Sequence, residues 1–143
     1  MRLSQHFTLA ELTVTQSGLP NAPGQIELAN LQKLARTLES IRATLGGKPI
    51  IINSAYRSPR VNSAVGGSAT SAHMVGLAAD FVCPTYGKPL EICQAIAAAG
   101  IPFDQLIHEY GRWIHIGIGP RARQQLLTID GRGVRSGLLE VRP

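Results

Sequence analysis

The ten residues "SAHMVGLAAD" (71–80) set His73 and Asp80 seven positions apart, with Gly76 and little side-chain bulk between them. On a continuous helix, seven residues span about 10 Å along the axis, and an extended strand separates them further. Two donors to one metal ion, each about 2.0–2.2 Å from it, must lie within a few ångströms of each other. A chain that uses both residues together therefore has to turn back between them, and Gly76 is where the backbone bends at least cost. Ala72, Ala78 and Ala79 keep the surroundings small enough for that approach. The same spacing also suits a plain His–Asp hydrogen bond that organises a loop.

The flanking sequence predicts what such a turn is built into. Residues 25–45, "QIELANLQKLARTLESIRATL", place Leu28, Leu31, Leu34, Ala35, Leu38, Ile41 and Leu45 at helical spacing with one buried face. Gly46-Gly47 closes that helix. "KPIIINSAY" follows as a β-branched strand, and the glycine- and serine-rich "RSPRVNSAVGGSATS" reads as a loop. "LAADFVC" is a strand ended by Pro84, and "PLEICQAIAAAG" is a short helix with Pro89 in its first turn and Gly100 as its stop. "FDQLIHEY" and "WIHIGI" are two strands joined at Gly111-Arg112. Near the start, Thr8 caps a short helix in "HFTLAEL", and His6 beside it is read as a surface or structural residue. This order predicts an α+β domain with an antiparallel or mixed sheet, spanning residues 1–143.

A chain of 143 residues can bury a core without disulfide staples. Its 44% hydrophobic and 16% charged residues exclude a disordered polymer. No apolar run reaches the roughly 18 residues that cross a bilayer, so stable membrane insertion is not expected. "MRLSQHFTLAEL" lacks the apolar core and cleavage site of a secretory signal, so synthesis into the cytoplasm is expected. Cys83 and Cys93 form no CxxC pair and are expected as buried reduced thiols. The net charge of +5 is concentrated near the end, where Arg121, Arg123, Arg132, Arg135 and Arg142 face only Asp130 and Glu140. A basic C-terminal tail over 119–143 suits an anionic polymer, and equally a solvated surface. No aromatic residue interleaves these arginines, so nucleic acid is not an expected partner.

A third donor changes the weight of His73 and Asp80. His115 stands mid-strand between Ile114 and Ile116, so it faces away from both. Two histidines and a carboxylate with one open position make a catalytic zinc set; a satisfied core histidine is the plainer alternative. The hairpin also brings His108 and Glu109 near His115. A two-residue turn puts His108 opposite His115, whereas a three-residue turn or a bulge puts Glu109 there. The pattern does not decide between them, and chemistry leans to Glu109, because a carboxylate can take a proton from metal-activated water.

Three blocks then coincide in order. "SAHMVGLAAD" resembles the SxHxxGxAxD signature of the zinc D-Ala-D-Ala carboxypeptidases and related peptidoglycan L,D- and D,D-peptidases, which share their fold with the hedgehog signalling domain. "SAYRSPRVNSAVGG" is similar to the arginine-bearing segment upstream of that signature, and "FDQLIHEYGRWIHIGI" resembles the closing hairpin. "FTLAEL" is similar to an opening segment of the phage-borne branch.

The resemblance implies a sheet with helices packed on one side, and zinc held by His73, Asp80 and His115. It implies Glu109, six before the last ligand, as the base; Arg112 and Trp113 occupy the positions where other branches carry a base or a further histidine. Arg57 matches the arginine that binds substrate or stabilises the oxyanion, with a surface ion pair as the alternative. Ser71 orients the peptide or supports the loop. Tyr56 and Trp113 are expected to pack or wall the cleft; Gln105 is given a structural role, with a hydrogen bond across the site as the alternative. The implied partner is a peptidoglycan stem peptide cut at a bond involving a D-amino acid; separately from the resemblance, a monomer is expected. The implied setting is a phage or prophage endolysin that reaches the cell wall after release. The competing expectation is a non-catalytic peptidoglycan-binding module or virion component of the same fold.

Overall fold

The computed structural model describes residues 1–141; Arg142, counted above with the basic tail, lies outside them. Thr8 opens α1 (Leu9–Leu12) through a reciprocal cap: Glu11 N–H donates to Thr8 Oγ1 at 3.2 Å, and Thr8 N–H donates to Glu11 Oε1 at 3.0 Å. α2 runs from Gln25 to Thr44 and buries Leu31, Leu34, Ala35, Leu38 and Ile41, the stripe that its spacing predicts. β1 (Ile51–Ser54), α3 (Pro59–Ala64), a 3-10 turn (Ala72–Val75) and β2 (Ala78–Val82) follow. After α4 (Pro89–Ala98) come β3 (Gln105–Glu109), β4 (Trp113–Gly117), β5 (Gln125–Asp130) and β6 (Gly133–Ser136).

The strands form one six-stranded mixed sheet in the order β1-β2-β4-β3-β5-β6, parallel only between β3 and β5. The protein is thus α+β. Side chains alternate across the sheet. One face sends Phe81, Leu106, Ile114 and Ile116 into a core shared with α2 and with Ile92, Cys93 and Ile96 of α4. The register puts Ser54, Asp80, His115, Ile107 and Leu127 side by side in one row on the other face. Cys83 and Cys93 are free and buried, and burial pushes the Cys93 thiol up to about 12. Among the described residues, no helix is long and apolar enough to cross a membrane.

Two expectations are corrected by the structure. Residues 125–136 are not a tail. β5 lies along β3, and β5 and β6 close on each other through the two-residue turn Gly131-Arg132. The segment 59–64, expected within a loop, is helical because Ser58 accepts from Val61 N–H at 3.2 Å and Pro59 starts the first turn.

Candidate metal centre

Each of the three expected donors arrives on a different element. The 3-10 turn carries His73, β2 carries Asp80, and β4 carries His115. Ser71 caps the turn, its hydroxyl accepting from His73 N–H at 3.2 Å, so this residue holds the loop in place. The bend expected at Gly76 is present: the residue has φ +77° and ψ 23°. A β-carbon there would stand 2.7 Å from the backbone oxygen of Glu27 and 3.2 Å from Leu31 Cγ, so the loop presses directly on α2. Gly76→Ala is therefore expected to destabilise the protein by about 3 kcal/mol, from the left-handed conformation and overpacking together. Urea unfolding measures this, and a change below about 0.5 kcal/mol would contradict the packing.

Asp80 is the hub. Its Oδ1 lies 2.9 Å from His115 Nδ1 and 3.4 Å from His73 Nε2, and its Oδ2 accepts from Arg57 Nη2 at 3.3 Å. Burial opposes the charge on Asp80, but hydrogen bonds from His115 and His73 and their positive charge outweigh it, holding the carboxyl far below its usual range. One ligand atom from each of the three residues lies within 4.8 Å of the others. Donors about 2.0–2.2 Å from a tetrahedral ion sit roughly 3.3 Å apart, so the 2.9 and 3.4 Å separations match a shared ion.

The His73 ring supports this fit independently. Its Nδ1 lies 2.6 Å from the carbonyl oxygen of Ala55. A carbonyl only accepts, so Nδ1 carries one proton; Nε2, which donates toward Asp80 while protonated, offers its lone pair to a metal once that second proton is lost. The donor set fits a divalent metal.

Arg57 is not a surface ion pair. Besides Asp80, its Nε donates to Ser54 Oγ at 2.9 Å and its Nη1 reaches Asn62 Oδ1 at 3.5 Å. Ser54, Asn62 and the Ala55 carbonyl were not anticipated from sequence. Ser54 could have been found, since it ends the β-branched strand three residues before Arg57.

The hairpin turns through three residues, Tyr110-Gly111-Arg112, so Glu109 shares a face with His115. Ile107, rather than Glu109, stands directly opposite His115, and Glu109 lies opposite Trp113. Burial and the nearby Asp80 charge raise the Glu109 carboxyl above its ordinary value, against smaller opposing contributions from His115 and Arg57. The indole N–H of Trp113 also favours its charged form, although it closes no hydrogen bond of ordinary geometry. His108 points into the opposite face, buried, with Nδ1 2.9 Å from the Leu139 carbonyl oxygen. Tyr56 is buried in the core, and Gln105 donates sideways to Gln125 Oε1 at 2.7 Å. His6 pairs with Glu39 through Nδ1 at 2.7 Å, in the structural role expected of it.

Comparison with known proteins places these residues in a family context. Residues 5–117 match the family model described as Peptidase M15. Over 84 residues the chain is 36% identical to a zinc D-Ala-D-Ala carboxypeptidase of Streptomyces albus G, a match that covers 57% of this chain and 33% of the relative. The chain thus aligns with about a third of that relative's length.

Proposed function

Because the chain belongs to the peptidase M15 family, we propose that it is a zinc peptidase that hydrolyses an amide bond next to a D-amino acid in peptidoglycan stem peptides. The observation that carries this reading is the convergence of His73, Asp80 and His115 on one point of the open sheet face, with Glu109 on the same face. The kinship to a zinc D-Ala-D-Ala carboxypeptidase supports the substrate class.

His73 through Nε2, His115 through Nδ1 and the Asp80 carboxylate would hold the zinc. When bound, zinc supplies Lewis acidity, which acidifies water and polarises the scissile carbonyl. Glu109 takes the proton from the attacking water. Burial favours its protonated form, which helps it hold the proton it accepts until that proton passes to the leaving amine. Arg57, anchored by Ser54 and Asn62, keeps Asp80 oriented and offers positive charge to the developing oxyanion. Ser71 fixes the loop that delivers His73. The biological setting we propose is host lysis by a phage or prophage endolysin, for which the likeness of "FTLAEL" to the phage-borne branch is the support.

The test is incubation of purified peptidoglycan with the zinc-loaded protein, with new amino groups counted and fragments weighed by mass spectrometry. Release that stops on chelation is expected; an undigested wall would contradict the proposal. His108→Ala separates the two hairpin candidates. It should cost about 1–3 kcal/mol through the space left by the buried ring and the lost hydrogen bond to the Leu139 carbonyl, while the folded variant keeps its rate within about threefold. A hundredfold loss of rate in folded protein would return His108 to the chemistry.

A further inference from the structure

Beside His115 lies a cavity of about 720 Å³, within the range that encloses a drug-sized or small peptide ligand. Ser68, Thr70 and Ser71 furnish hydroxyls on one wall, and Arg121 and Arg123, from the segment after β4, furnish the other. The lining's charges do not balance. Asp104 Oδ1 accepts from Arg123 Nε at 2.7 Å and its Oδ2 from Arg123 Nη2 at 3.0 Å, with the Arg123 backbone N–H 3.3 Å from Oδ1. That bidentate pair cancels Arg123 against the cavity's one carboxylate. Arg121, exposed at the same cavity, forms no ion pair among the described residues. Arg57, which sits at the metal centre against Asp80, is not part of this lining.

We infer that Arg121 is a specificity-determining residue that receives a carboxylate of the substrate in the cavity beside His115. This rests on the proposed stem-peptide substrate, which carries free carboxylates. A guanidinium presents a planar fork of N–H donors that matches a carboxylate in two parallel hydrogen bonds. In a concave site such a pair is partly shielded from water, so it discriminates between a carboxylate and its uncharged carboxamide. Arg123 cannot supply this contact without breaking its pair with Asp104. Selectivity is then carried by the segment after β4, apart from the metal ligands and Glu109.

The experiment is calorimetric binding of synthetic stem-type pentapeptides to the zinc-loaded chain carrying Glu109→Gln, which blocks turnover. One peptide keeps all its carboxylates free, and each of the others has a single carboxylate converted to carboxamide. One conversion is expected to weaken binding about tenfold. Adding Arg121→Gln should weaken the free-acid peptide by the same factor and erase that difference, as coupled partners do in a double-mutant cycle. Adding Arg121→Glu should weaken the free-acid peptide further. Arg132→Gln, at the remote β5–β6 turn, should change nothing. Undiminished binding by the Arg121→Gln chain, or an equal loss for every peptide, would overturn the assignment. If no peptide binds while Arg121 is intact, the stem-peptide reading itself fails and the subsite with it; binding without discrimination defeats only the subsite.

Discussion

Glu109→Gln is expected to lower peptide hydrolysis by about 10²–10⁴-fold, the usual contribution of a positioned general base, while leaving zinc content and folding unchanged. The substitution keeps the shape of the side chain and removes its ability to accept a proton. Glu109 is the carboxylate on the site face that remains able to do so. Asp80 is committed to two histidines and Arg57, and His108 is buried on the other face of β3. Burial beside Asp80 already disfavours the charged form of Glu109, so the neutral amide should be accommodated without loss of stability. Steady-state rates on a stem peptide, with zinc measured on the same sample, check this. A loss smaller than about threefold would remove Glu109 from the reaction.

The second large effect concerns the ion. An ion that binds only the folded chain stabilises it by about 2.7 kcal/mol at a hundredfold excess over its dissociation constant, and by about 4 kcal/mol at a thousandfold excess. For a chain of this size that corresponds to a rise in Tm on the order of 5–15 °C when zinc is added to chelated protein. The fold should survive chelation, because without an ion Asp80 is still held by His115, His73 and Arg57. His115→Ala should abolish the thermal shift and hydrolysis together while the protein stays folded. A zinc-dependent shift that persists in that variant would mean the stabilising ion binds elsewhere.

Much of this arrangement was legible in the sequence because it is written in local periodicity. The buried stripe of α2 follows from leucine spacing, the strand carrying His115 from its alternating isoleucines, and the strand carrying Asp80 from a short apolar run ended by Pro84. The Gly76 bend followed from a distance requirement rather than from a propensity. What stayed hidden depended on register or was masked by composition. Whether Glu109 or His108 shares a face with His115 turns on a single residue of turn length, which no local pattern between Glu109 and Trp113 encodes. Five arginines drew the C-terminal segment toward a solvated tail, although Asp130-Gly131 between "QLLTI" and "RGVRS" is a hairpin signal. In the same way Ser58-Pro59, a cap followed by a first-turn proline, was overshadowed by the glycines and serines that follow. The outer support of His73 by the Ala55 carbonyl is a backbone contact, and no residue type announces it.

The most direct measurement is anomalous diffraction at the zinc absorption edge from crystals of the full chain grown with zinc. A single strong peak bounded by His73 Nε2, the Asp80 carboxylate and His115 Nδ1 is the predicted result. A map with no peak there, or with zinc bound by other residues while these three keep only their mutual hydrogen bonds, would contradict the account.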